Sequence, residues 1–254
     1  MEHTNQFANA VTTTAALLAL WPAITFAQDT GSGAGDAGKA ALQAKVGELK
    51  QSLADNQKAI RQYTWTETTQ ISLKGEVKKT EKKQCRYGTD GQVIKTDVGD
   101  SAPPPPSQQG GGRRRGGALK EKVVEKKVDE MKDYMGEVSA LVKQYVPPEP
   151  EKIQAAMQNG KAALNKESAP GIAELAFTDY VVPGDKLALS FNTAAKQLAA
   201  VNVDSYLGKA KDTVTLAVRF AALADGVSYP AQTVLVAKAK QIQVTITNSG
   251  YSKQ

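Results

Sequence analysis

The chain has 254 residues, room for one large domain or two small ones, and 41% of them are hydrophobic, too many for a wholly disordered chain. Lys and Arg number 32 against 26 Asp and Glu, a net charge of +6, but the lysines are spread along the chain rather than gathered in the patch of a compact nucleic-acid binder. With one histidine and one cysteine, there is little material for nucleophilic catalysis or metal binding, and no internal disulfide can form.

The N-terminal run VTTTAALLALWPAITFA is apolar, uncharged and too short for a comfortable transmembrane helix, which needs about 20 apolar residues. Small residues at Thr25 and Ala27 suit cleavage before Gln28, so residues 1–27 are expected to be a signal peptide, although no Lys or Arg precedes the run. Export to the periplasm or beyond is the expectation, with no transmembrane segment after cleavage. Cleavage also removes His3, which leaves the mature chain without a histidine. Residues 28–40, rich in Gly and Ala, read as a flexible tail.

Residues 41–62 carry Leu42, Val46, Leu49 and Leu53 at helical spacing, with Ile60 rejoining the stripe, and predict an amphipathic helix. YTWTETTQISLKG then alternates, with Tyr63, Trp65, Ile71 and Leu73 on one side. EVKKTEKKQCRYG gives Val77, Cys85 and Tyr87 one parity, and Asp90-Gly91 is a hairpin signal before QVIKTDVG. These are three antiparallel strands with a charged, solvated face. Cys85 reads as a half-buried small hydrophobe, with a reactive thiol as the alternative because of its lysine neighbours.

PPPPSQQGGGRRRGG follows. Prolines favour an extended chain and the glycines hold no structure, so 99–117 is expected to be a disordered Pro/Gly/Arg loop. Arg113, Arg114 and Arg115 resemble an RNA-binding run but lack interleaved aromatics, and nucleic acid is not expected in an exported protein. The other reading for these arginines is contact with an anionic envelope component.

Residues 118–146 form the longest helical pattern, with Leu119, Val123, Val128, Met131, Met135, Val138, Val142 and Tyr145 in one stripe. PPEP stops it, and EPEKIQAAMQNGKAAL reads as a third helix with Pro150 in its first turn. From Gly171 the period becomes two. Leu187, Leu189 and Phe191 share a face, as do Val214, Leu216, Val218 and Phe220, and Ile242, Val244 and Ile246. Six strands in a meander result. Strands never alternate with single helices, so a parallel α/β sheet is excluded in favour of α+β. The expected architecture is one domain over 41–254: a large curved antiparallel sheet of about nine strands with three amphipathic helices on its concave face.

This order, from the helix at 41–62 through YTWTETTQISLKGE to the run from GIAELAFTDYVV to VTITNSGY, resembles the periplasmic lipoprotein-carrier (LolA-like) superfamily. The resemblance implies an open half-barrel that holds lipid or lipoprotein acyl chains between sheet and helices. On that reading Trp65, Leu187, Leu189, Phe191, Leu216, Val218, Phe220, Ile242, Val244 and Ile246 line an apolar cleft. The same residues equally suit a core closed by the helices, and then the chain would be an envelope interaction protein. No carboxylate pair, calcium loop or phosphate loop marks a catalytic, metal or cofactor site, so no enzyme activity, metal or cofactor is expected.

Overall fold

Alternation of β-branched and apolar residues with polar ones turns most of this chain into strands that bury one face. The computed structural model describes residues 51–52, 54–98, 117–146 and 148–254. The expected signal peptide, the tail at 28–40, residues 41–50 of the first helix and Arg113, Arg114 and Arg115 lie outside the described residues.

Helical residues 51–52 and 54–60 (α1) lead into three strands, β1 (Tyr63–Leu73), β2 (Glu76–Tyr87) and β3 (Val93–Asp97). Two helices follow, α2 (Gly117–Val142) and α3 (Pro150–Gln158). Seven strands complete the chain: β4 (Ala162–Ala169), β5 (Ile172–Thr178), β6 (Lys186–Asn192), β7 (Gln197–Tyr206), β8 (Thr213–Ala222), β9 (Ser228–Ala237) and β10 (Ile242–Lys253). The fold is α+β, and the sheet has ten strands rather than about nine. The additional strand is β4, where the sequence reads as a continuation of the third helix. Gly160, at φ 67°, ends α3 first, and Ala162–Asn165 then pair with Phe177–Glu174 of β5.

The strand order is β3-β2-β1-β10-β9-β8-β7-β6-β5-β4. Every neighbouring pair is antiparallel. The meander from β5 to β10 is as expected, and β4 extends it by one strand. The N-terminal hairpin joins it at β10, where Ile71 pairs with Val244 and Glu67 with Asn248. The sheet is open: β3 and β4 are its two edges, and they do not pair with each other.

Lys74 and Gly75 join β1 to β2 with both residues at positive φ (56° and 83°), the two-residue turn whose twist suits a hairpin. At the Asp90-Gly91 turn the loop between β2 and β3 is longer, and Asp90 accepts a hydrogen bond from the Gln92 N–H at 3.0 Å.

The main core lies between one face of the sheet and the two later helices. Tyr134, Met135, Val138 and Leu141 of α2 and Ile153 and Ala156 of α3 join the buried residues of β5 to β10 in one cluster. α1 does not share this core. Its Ile60 packs with Tyr63 and Val227 in a second, smaller cluster flanked by Tyr87, Tyr229 and Tyr251.

Candidate functional site

The helix-covered face of the sheet has two adjoining zones of different chemistry. The apolar zone follows from strand register. Leu189 pairs with Val201, Val201 with Val218, Leu216 with Leu235, and Leu235 with Val244, so rows of branched side chains run across the sheet. Leu187, Leu189, Leu216, Val218, Ile242, Val244 and Ile246 are buried in this zone, and Phe191 and Phe220 pack against it half-buried. These residues of the expected cleft are therefore brought together, under side chains of α2 and α3 that fill the space above them.

Polar anchors hold the helices there. Tyr134 Oη donates to Asp212 Oδ1 at 2.7 Å, and Lys240 Nζ lies 5.8 Å from the centre of the same ring. Tyr145, fully buried, donates to Asp185 and shares a 2.7 Å hydrogen bond with Ser205. Asp185 also accepts from the backbone N–H groups of Tyr180, Val181 and Val182, at 2.6 to 2.8 Å, so one carboxylate organises the turn before β6 and tethers the end of α2. Burial first, and then the neighbouring carboxylates, push the Tyr134 and Tyr145 hydroxyls well above the ordinary tyrosine range, which keeps both as donors.

Trp65 stands apart from the apolar zone. It stacks on Tyr251, with ring centres 5.6 Å apart and planes 10° apart, and packs against Tyr87 at 5.3 Å. It opens the second zone, on β1, β2, β3 and β10, which sequence reasoning missed. Glu67 follows Trp65 on the same face and is 1% exposed. Its carboxylate is held by Lys95 Nζ of β3 at 2.7 and 2.8 Å. Glu81 and Lys83 of β2 are buried as well, with Lys79 and Lys83 both at the Glu81 carboxylate. Thr69, Thr233 and Asn248 complete a buried polar strip across β1, β9 and β10.

The expected charged, solvated face is present on β2, where Glu76, Lys78, Lys82 and Arg86 are exposed, but the opposite face, which Trp65 and Cys85 share, carries the charges of Glu67, Glu81 and Lys83 in buried positions. Val77 does not share that face. A register shift between Ile71 and Ser72 of β1 puts Val77 on the exposed side, 56% exposed. The signal was present in the alternation itself, since Trp65, Glu67, Thr69 and Ile71 are spaced by two.

Cys85 lies in the same zone, opposite Trp65, and is completely buried. Burial first, and then the charge of Glu67, raise its thiol to about 11, so it is a packed, protonated side chain and not a nucleophile at neutral pH. Among the described residues no group of three or more His, Cys, Asp or Glu is placed to hold a metal ion. No helix among them is long and apolar enough to cross a membrane. An open groove of about 590 Å³ lies between α1 and the turn from β8 to β9, lined mainly by polar side chains including Gln51, Asp55, Asn56 and Asp225, away from the apolar zone.

No protein-family profile matches the chain, and neither does any curated protein. Solved structures do resemble it. A DUF1329 family protein from Desulfovibrio piger is similar over 84% of this chain and 92% of its own length, at 13% identity and a TM-score of 0.40. A LolA superfamily protein from Nitrosomonas europaea is similar over 80% of this chain and 93% of its own, at 13% identity and a TM-score of 0.34. Both likenesses are loose.

Proposed function

We propose that this chain is an exported, non-enzymatic binding protein that holds a lipid or other apolar molecule between its sheet and helices, with the sheet curved as a half-barrel. The observation that supports this reading best is the construction of the apolar zone. An open sheet presents a broad apolar face, and its cover is not a second sheet but two helices. Tyr134, Met135, Val138 and Leu141 occupy the space that acyl chains would take, so cargo enters as α2 and α3 lift. Exchange of one apolar filling for another costs little in hydrophobic burial, because the sheet face stays dry in both states. On this reading Leu187, Leu189, Leu216, Val218, Ile242, Val244 and Ile246 contact the cargo, and Phe191, Phe220 and Trp65 border it. Export rests on the apolar N-terminal run ending at Ala27.

The test is mass spectrometry of an organic extract from the mature protein, secreted and purified without detergent. A lipid recovered in stoichiometric amount is the expected result. A folded protein that carries no apolar molecule, and takes none up from vesicles, overturns the reading.

A further inference from the structure

Among the described residues, the polar zone contains atoms that no neighbour satisfies. Three of them surround Glu67, and each belongs to a residue at least nine-tenths buried. The indole Nε1 of Trp65, two residues along β1, finds no hydrogen-bond partner, and neither does Oδ1 of Asn248, directly opposite Glu67 on β10. Oε2 of Glu81 is the third, two residues along β2 from Lys83, which pairs with Glu67. Trp65, Asn248 and Glu81 are 2%, 5% and 6% exposed. The Nζ of Lys83 lies 3.8 Å from that Glu81 oxygen, near enough to balance charge but too far to hydrogen-bond it. Asn248 already spends its amide on the Pro230 carbonyl, at 2.8 Å, which leaves only its oxygen open.

Unpaired buried polar atoms are rare and costly, and three around one carboxylate are more than packing explains. Their chemistry defines what would satisfy them. The indole offers one donor and asks for an acceptor oxygen. The Glu81 and Asn248 oxygens are acceptors and ask for donors, the Glu81 charge itself being balanced by Lys79 and Lys83. A primary ammonium brings three donors to that pair. A phosphate oxygen next to the ammonium would accept from the indole. The apolar zone begins at once alongside, since Thr69 pairs with both Glu81 and Ile246.

We propose that the buried polar cluster of Trp65, Glu81 and Asn248 around Glu67 is the headgroup site for the carried lipid, and that the head combines a primary ammonium with a phosphate, as in an ethanolamine phospholipid. This assignment rests on the lipid-binding reading above. The cluster is closed in this structure, so the head enters through the same opening as the chains.

The full mature chain, stripped of lipid, is incubated with mixed vesicles of phosphatidylethanolamine, phosphatidylglycerol and phosphatidic acid bearing identical acyl chains. Retained lipid is then quantified by mass spectrometry after gel filtration. The wild type should retain the ethanolamine lipid over phosphatidic acid by about tenfold, and Trp65→Phe and Glu81→Gln should each bring that ratio toward one. A wild-type ratio near one, a preference for the glycerol head, or an unchanged ratio in both variants overturns the headgroup assignment while lipid binding stands. Retention of no lipid overturns both. Glycerophosphoethanolamine has the same head without chains, and its retention as strongly as the lipid would replace the lipid assignment with a soluble ligand.

Discussion

Single residues in this protein carry unusual weight because several buried charges serve more than one element. Asp185 is 1% exposed and accepts from three backbone N–H groups and a tyrosine. Asp185→Ala leaves those donors buried without an acceptor and should cost about 3 kcal/mol in urea unfolding, and Tyr145→Phe, which removes one of them, about 1 kcal/mol. The run Pro183-Gly184-Asp185 marks a turn in the sequence, but the second role of Asp185 is not legible there, because the partner Tyr145 is 40 positions away. Cys85 gives a pH prediction with a definite sign. Its thiol is raised from 9.0 to about 11 in the fold. The unfolded chain therefore loses the proton first. The contribution is intact below pH 9 and is lost as pH rises through 9 to 11, at up to about 1.4 kcal/mol per pH unit. Urea unfolding of wild type and Cys85→Ala across that range should diverge in slope, and equal slopes would show that the thiol is not shielded. The same thiol should resist alkylation at pH 8 until the chain is unfolded.

Among the elements, legibility in the sequence follows the contrast between neighbouring residues. Strands β6, β8 and β10 alternate large apolar side chains with small or polar ones over most of their length, and they lie where the alternation puts them. β4 has no such contrast: AALNKESA lacks β-branched residues and borders a real helix, so it reads as helix. It is a strand because β5 offers it an edge, which is a tertiary cause that no local pattern displays. The polar zone was missed for a different reason. A charged residue on a strand is ordinarily solvated, and Glu67 is buried only because Lys95, 28 positions later, is brought against it. The turn between β1 and β2 offers a test at this scale. Gly75 has open space around its α-carbon but sits at φ 83°, so the strain of Gly75→Ala is conformational rather than steric. It should destabilise by about 1 kcal/mol in urea unfolding, and no loss would mean the turn can change type without cost to the hairpin.

For the whole molecule the question is whether the helices are part of one indivisible core or a cover that separates from the sheet. The sheet has an argument for independence: ten strands joined in one unbroken series of antiparallel pairs, with Tyr63 and Lys253 meeting Asp225 where β1, β10 and the turn from β8 to β9 come together. Among the described residues the cover is tied by the buried side chains of α2 and α3 and by the anchors at Asp212 and Asp185. Val138 is completely buried at the centre of α2's contact. Val138→Asp places an unpaired charge there, so the helix should leave the sheet rather than bury the carboxylate. If the cover separates, circular dichroism should still report the strands, while the uncovered apolar zone binds anilinonaphthalene sulfonate with a marked rise in fluorescence. On the proposed lipid-binding reading, uptake from vesicles should also become faster in the variant, since entry would no longer wait on the helices lifting. Loss of the strand signal together with the helix would instead show one cooperative core, and a protein built that way has no apolar face to offer a lipid.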